Sequence, residues 1–305
     1  MKLENKGVFS VVGAAILWGM QGVLSKSVFA TTMSPFSLAT YKVGFAFLGL
    51  MLGILIFRPS YFKIKLKHLP LLIAYGITGV GLFNLFLLLS VKLNTVSTAI
   101  TLIYTAPAFV SIFSALFLGE HFSTAKLFAL ISTLSGCFLV VKGYAIDWSA
   151  LDWSGLGAGL AAGFTYSLYS VLGKKCVHFY SHWTVMLYGL GCGTALLAII
   201  APPGDFGLYP GIIWLNILFL ALGTTLLANI LYVLGLTLLE ASKASMIATL
   251  EPVVAVLLAM LILKETLVWP QVVGFLMVMF AVFLLTLKKP DKSLLSAKKN
   301  KTEGV

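Results

Sequence analysis

The chain has 305 residues, of which 60% are apolar and only 10% charged, against roughly 25% charged in an ordinary soluble domain. That balance excludes a soluble globular protein. The net charge of +11 is not the basic stripe of a nucleic-acid binder either, because the Lys and Arg residues cluster at the ends of apolar runs.

A bilayer crossing needs about 20 mostly apolar residues, and ten such runs follow one another: 7–30, 35–57, 69–91, 95–118, 124–141, 155–173, 182–201, 212–236, 242–263 and 269–287. The first follows Met-Lys-Leu-Glu-Asn-Lys and ends on Val28-Phe29-Ala30, which imitates a signal peptide with its cleavage site. It is longer than an ordinary signal core, contains Gln21 and Lys26, and leads at once into another apolar run, so an uncleaved first span is expected. Turn and charge signals fill the short connections, as at Arg58 to His68, Gly119 to Ser123 and Pro202-Pro203-Gly204-Asp205. Runs of this length are too long for barrel strands, and the predicted class is an all-α integral membrane bundle of ten transmembrane helices. Cys137, Cys176 and Cys192 have no metal-ligand spacing and are odd in number, so neither a disulfide framework nor a metal site is expected.

Cytoplasmic loops are enriched in Lys and Arg. With the amino terminus inside, the inner segments hold Lys2, Lys6, Arg58, Lys63, Lys65, Lys67, Lys126, Lys174, Lys175, Lys243 and six lysines from Lys288 to Lys301. The outer connections hold only Lys92, Lys142 and Lys264. Both termini are therefore expected in the cytoplasm, with 290–305 a disordered basic tail weakly drawn to anionic lipid.

The two halves repeat. At an offset of 145 residues, Asn84 falls on Asn229, Pro107 on Pro252, Glu120 on Glu265 and Phe138 on Phe283, while Ala14-Ala15 matches Ala161-Ala162 at a slightly larger offset. This divides the chain into five-helix units at 1–146 and 147–289. Five is odd, so the second unit enters the membrane from the opposite side; such inverted repeats mark secondary transporters that bind substrate near the midplane.

Leu102-Ile103-Tyr104-Thr105-Ala106-Pro107 through Leu116-Phe117-Leu118-Gly119-Glu120, its counterpart Leu250-Glu251-Pro252 through Leu261-Ile262-Leu263-Lys264-Glu265, and the opening Ala15-Ile16-Leu17-Trp18-Gly19 resemble the drug/metabolite transporter superfamily, in its ten-helix EamA branch. The resemblance covers nearly the whole chain. Lys264 stands where Gly is common in that family, and Lys42 where many members carry Arg. The resemblance implies a multi-pass transporter of the bacterial inner membrane that moves small metabolites, often outward and often amino acids, without naming the cargo.

Charges at membrane depth are costly and mark candidate sites. Glu251 is the acidic residue nearest the middle of a span, able to carry a coupling proton or meet a cationic group, or to be satisfied by Asn229 or by backbone groups freed by Pro252. Lys42 lies in the outer half of the second span, where it can line a cavity or snorkel outward; Lys26, near a helix end, favours snorkelling. Trp18, Gln21, Gly22 and Ser25 share one helical face, as do Tyr166, Tyr169, Ser170 and Gly173 in the sixth span. Thr225, Asn229 and Tyr232 make a third stripe, and Thr101, Tyr104 and Ala108 a fourth. Small and hydroxyl residues also serve helix packing, but bulky rings at mid-depth favour a shared cavity. The expected binding set is Trp18, Gln21, Lys42, Asn84, Tyr104, Tyr166, Tyr169, Asn229 and Glu251; Tyr41 and Tyr188 are weaker candidates. Pro107 and Pro252 each remove a backbone donor and are candidate hinges. Glu120 and Glu265 sit at turns, where each is expected to accept from amides at the start of the next helix.

A membrane-embedded enzyme finds no support. His68, His121, His178 and His182 lie in loops or at span ends, and Asp147, Asp152, Asp205 and Asp291 lie outside the spans. No phosphate-cradling glycine loop is present, so ATP-driven pumping would need a partner. A channel or receptor explains the repeats less economically. The sequence therefore points to a secondary transporter, with no cofactor and working as a monomer, whose substrate is a small neutral or zwitterionic metabolite and whose candidate coupling ion is the proton; an importer, or a carrier of another solute or drug, is the alternative.

Overall fold

The computed structural model describes residues 2–29, 31–202, 204, 209–264 and 266–287. The basic tail from 290, Glu265 and the side chains of Gly22 and Lys26 lie outside the described residues. Ten helical rods follow in chain order. They are α1 (Lys2–Phe29), α2 (Pro35–Phe57), α3 (Leu69–Gly76 running on into Phe83–Leu93), α4 (Val96–Ile103 and Ala106–Leu118) and α5 (Thr124–Val140). The second five are α6 (Trp153–Phe179), α7 (His182–Ile200), α8 (Gly211–Phe219 running on into Ala228–Leu238), α9 (Ala241–Ala248 and Leu250–Leu263) and α10 (Trp269–Leu287).

Local chemistry sets the ends. Ser34 accepts from the Phe36 amide with Pro35 at the first helical position, and Thr95, Ser123, Asp152 and Ser181 cap α4 to α7 in the same way. Seven rods are long and apolar enough to cross a membrane by length and composition, and Thr124–Val140 is a shorter apolar helix. α6 runs six residues past the predicted end at 173. The extra turns carry the Lys174 amine to the carbonyls of Leu236 and Leu239, 2.7 and 2.6 Å away, where it satisfies the C-terminal end of α8.

The 145-residue offset is written into the backbone as well as the sequence. α3 and α8 each carry a π-helical stretch, Ile77–Leu82 and Leu220–Leu227. α4 and α9 break at Tyr104 (φ −70°, ψ 4°) and Thr249 (φ −69°, ψ 3°), three residues before Pro107 and Pro252. Each then ends on a left-handed residue, Gly119 (φ 67°) and Lys264 (φ 56°), whose amides bond to Ser114 and Ala259.

Packing exchanges the halves too: α1 lies against α8 and α9, as α6 lies against α3 and α4, while α5 packs on α10 and α2 on α7.

Cross-chain bonds gather the connections at two ends. At one, Glu4 of α1 pairs with Lys243 at the start of α9, Glu120 bonds to Ala241, and the α2–α3 loop bonds through Tyr61 and Lys65 to Thr184 and Tyr180. At the other, Asn94 exchanges hydrogen bonds with Asp152 just before α6 begins. The start of α1 thus belongs to the first set of connections and the start of its counterpart α6 to the second.

Candidate functional site

The break in α4 and the break in α9 face the two helices that open the halves. Gly163 of α6 lies so close to the α4 break that a Cβ there would stand 2.7 Å from Thr105 Oγ1 and 3.0 Å from the Leu102 carbonyl. Gly19 of α1 lies against α9 in the same manner, with its notional Cβ 2.9 Å from the Glu251 carbonyl and 2.8 Å from Val254 Cβ. Interrupted helices free backbone carbonyls where a membrane protein can tolerate them, against other protein or a cavity.

Between these contacts sit Trp18 and Gln21 of α1, Lys42 of α2, Tyr104 of α4, Tyr166 of α6 and Glu251 of α9, drawn from both halves. All six are partly buried and lie well inside their rods. The Trp18 ring meets Tyr166 edge-on at 6.4 Å and Tyr232 at 5.2 Å, and Phe83 of α3 adds a ring 5.4 Å from Tyr166. The Lys42 amine donates to Gln21 Oε1 at 3.1 Å. Lys42 and Glu251 each feel the other's charge, yet they form no ion pair; the pairs among the described residues join Lys126 to Glu120 and Glu240, and Lys243 to Glu4. Tyr104 and Tyr166 also lie within reach of the Glu251 charge. The six residues form a cluster that gathers a cation, a carboxylate and aromatic rings from both halves.

Other predicted residues stand further back. Tyr169 is buried, packed between Tyr75 at 5.2 Å and Tyr232 at 5.8 Å, with the Met186 sulfur 3.8 Å from its hydroxyl. Ser170 bonds to the Tyr232 hydroxyl at 2.6 Å, and Gly173 lies under Tyr75 and Leu236, so on the α6 stripe only Tyr166 joins the cluster. Asn84 donates to the Val80 carbonyl at 2.8 Å, satisfying the π-helical stretch of its own rod. Asn229 is half-buried two residues after the matching stretch of α8. The Thr225 hydroxyl is buried in that stretch without a hydrogen-bond partner. Thr101 bonds to Ser97 at 2.8 Å. Tyr41 bonds to the Gly204 carbonyl and Tyr188 to that of Phe62 at 2.9 Å, so both tie down loops. Pro107 and Pro252 are buried just beyond the two breaks.

One expectation is corrected. Glu120 does not serve the next helix: its carboxylate accepts from the amides of Ala241 at 2.6 Å and Ser242 at 3.2 Å, and from the Ser242 hydroxyl. The start of α5 is already capped by Ser123, whereas Glu240 offers α9 no side-chain cap. The partner lies 121 residues away, so no local signal marks it; the same holds for Phe83 and for the approach of Gly19 to α9.

Comparison with known proteins fits this architecture. The chain is 28% identical over 299 residues to an uncharacterized inner membrane transporter, YicL, of Salmonella typhimurium, covering 94% of this chain and 97% of that one. It is 28% identical over 283 residues to an uncharacterized transporter of Archaeoglobus fulgidus, covering 91% and 95%. A solved crystal structure shares the fold at a TM-score of 0.79 and 18% identity, covering 93% of this chain and 97% of that one. The EamA-like transporter family matches residues 5–142 and 153–287. With both halves of the chain matched, the chain belongs to the EamA-like transporter family, within the drug/metabolite transporter superfamily, and is a multi-pass membrane transporter.

Proposed function

We propose that the chain is a secondary carrier that exports small neutral or zwitterionic metabolites, such as amino acids, by alternating access to the Trp18–Glu251 cavity. The observation that carries this reading is that Lys42 and Glu251 feel each other's charge without forming an ion pair, with Trp18, Tyr104 and Tyr166 nearby. A zwitterion complements that arrangement. Its carboxylate would take the Lys42 amine in place of Gln21, its ammonium would meet Glu251, and its side chain would lie on the rings. Desolvated opposite charges otherwise pair, so holding them apart suits a ligand that supplies both partners.

The enrichment of cytoplasmic loops in Lys and Arg supports assigning the end that bears Arg58, Lys63, Lys65, Lys67, Lys126, Lys174, Lys175 and Lys243 to the cytoplasmic side. Both termini then lie inside a bacterial cytoplasmic membrane, with the units 1–146 and 147–289 as the two inverted repeats. Glu251 is the group through which a proton gradient would drive export. Proteoliposome counterflow with a panel of amino acids tests the reading. Saturable counterflow separates a carrier from a channel, and flux at the wild-type level in both Lys42→Ala and Glu251→Gln rejects the charge-handling roles. Flux indifferent to a pH gradient rejects proton coupling.

A further inference from the structure

At the start of α9, a helix of one half is capped by a carboxylate of the other. Glu120, almost wholly buried, accepts from the first two amides of α9 and from the Ser242 hydroxyl. Lys126 stands 2.7 Å from Glu240 and 3.9 Å from Glu120, and Lys243 stands 2.6 Å from Glu4. Charged groups from α1, the α4–α5 turn, α5, the α8–α9 turn and α9 thus tie these segments together at one end of the molecule. We propose that the Glu120 carboxylate on the Ala241 and Ser242 amides is a latch that holds this end of the carrier shut, and that transport requires its release; the proposal rests on the alternating-access reading above.

Three observations make this more than a static staple. The first is an asymmetry between equivalent sites. The 145-residue offset places Ala241 and Ser242 on Val96 and Ser97, at the opposite end of the molecule. Ala241 and Ser242 are 0% and 1% exposed, whereas Val96 is 56% exposed and Ser97 is exposed as well. Two half-folds with the same breaks and π-helical stretches hold their matching helix starts in opposite environments: α9 starts buried and is capped by Glu120 of the other half, whereas α4 starts exposed and is capped by its own Thr95. A carrier that exchanges the roles of its halves must unseal the first as it seals the second.

The second observation is linkage to the cavity. The latch holds Ala241–Ala248, an eight-residue segment that ends at the Thr249 break, and Glu251 stands two residues beyond it. Movement of the segment at its latched end turns about the break and reaches the carboxylate of the binding site. The third is chemistry. The latch consists of hydrogen bonds and ion pairs to helix amides, which water can replace group for group when they part. An apolar seal of the same size would meet water with nothing to replace it.

Thiol accessibility in proteoliposomes tests the latch without any substrate. In full-length protein with Cys137, Cys176 and Cys192 replaced by Ser, two reporters are introduced singly: Ser245→Cys, in the sealed segment, and Ser97→Cys, at the open equivalent. Both are challenged with a membrane-impermeant maleimide from each side. With Glu120 intact, Ser97→Cys reacts and Ser245→Cys is protected. Glu120→Ala raises the Ser245→Cys rate roughly tenfold, the shift expected from losing a helix cap of ordinary strength, and lowers the Ser97→Cys rate. If Glu120→Ala is not monodisperse, Glu120→Gln, which keeps the volume and one acceptor, gives the same direction with a smaller rise. Unchanged rates at both reporters in the folded variant overturn the latch. As a second arm, a Glu120→Cys/Ser242→Cys pair joined by a short bifunctional thiol reagent abolishes amino-acid counterflow until reduced; counterflow that survives cross-linking also overturns it. Shifted rates without amino-acid flux in the unlinked protein would reject the substrate reading and leave the latch standing.

Discussion

Gly19→Ala probes the contact that joins α1 to the binding-site turn of α9. A Cβ at this position would lie 2.8 Å from Val254 Cβ and 2.9 Å from the Glu251 carbonyl oxygen, where ordinary contact begins at 3.4 Å. One of the two obstacles is backbone, so the deficit of about half an ångström cannot be absorbed by a rotamer change; α1 and α9 must separate at Glu251. Overpacking of this kind costs about 1–3 kcal/mol, which is roughly a five- to 150-fold loss in the folding equilibrium constant. Because the strain falls beside Trp18 and Glu251, it should also weaken counterflow per folded molecule.

Gly274→Ala is the control. Its Cβ would stand 2.6 Å from the Gly136 carbonyl and 2.9 Å from the Val140 amide, a tighter clash, but at the α5–α10 contact, away from the cavity residues. Both variants should unfold earlier than the wild type in a detergent titration followed by tryptophan fluorescence. Gly19→Ala alone should raise the half-saturating substrate concentration in counterflow. Wild-type stability and flux in Gly19→Ala would refute the close approach, and equal loss of flux per folded molecule in both variants would refute its connection to the site.

The left-handed end of α9 makes a second prediction. Lys264 adopts φ 56° where its equivalent is Gly119 at φ 67°, and an L-residue there costs roughly 1–2 kcal/mol that glycine does not. Lys264→Gly should therefore raise the unfolding midpoint and Gly119→Ala should lower it. Ser170 and Tyr232 share a buried hydrogen bond of 2.6 Å. Tyr232→Phe, which strands the Ser170 hydroxyl, should cost about 1–3 kcal/mol, while Ser170→Ala with Tyr232→Phe should cost less than the sum of the single changes. Additive losses in that double-mutant cycle would show that the hydroxyls do not interact. Lys174→Met removes the donor to Leu236 and Leu239 and should speed hydrogen exchange at the α8–α9 corner; unchanged protection there would assign the corner's stability to packing alone.

The fold was legible because bilayer physics is strict. Apolar length alone located all ten rods, and Gly, Pro and charge marked their ends to within a turn except at the start of α1, which begins five residues before 7, and at the end of α6, whose last six residues are held by Lys174 rather than by their own apolarity. Among the predicted site residues, those the structure brings together are the ones whose chemistry is costly at membrane depth: Lys42, Glu251 and the rings of Trp18, Tyr104 and Tyr166. Helical spacing could place Tyr166 and Tyr169 on one face, but a turn of nearly one residue in rotation decides which ring meets the cavity and which meets Tyr75, and that rotation is set by neighbours distant in sequence. Asn84 shows the converse limit, since its polarity is used by its own backbone carbonyl at Val80. Glu120 was recognisable as a helix cap, but which helix it caps depends on the approach of the second half.

That dependence bears on how a duplicated fold can do directional work. Two halves with the same backbone devices would be equivalent if their ends were equivalent, and the binding cavity would then have no reason to face one side. Polar closure at Glu120 and exposure at Ser97 make the ends differ without changing the rods, so the alternative state needs no new fold, only an exchange of which helix start is sealed. The cost of each closure must stay small for the exchange to be fast: a latch of a few capped amides and ion pairs, each worth about 0.5–2 kcal/mol against water, can open within thermal reach, whereas a buried apolar seal of the same span would trap the carrier in one state. Weak polar closure at the ends and costly charge at the centre are therefore complementary requirements, the first letting the rods move and the second giving the substrate something to complete.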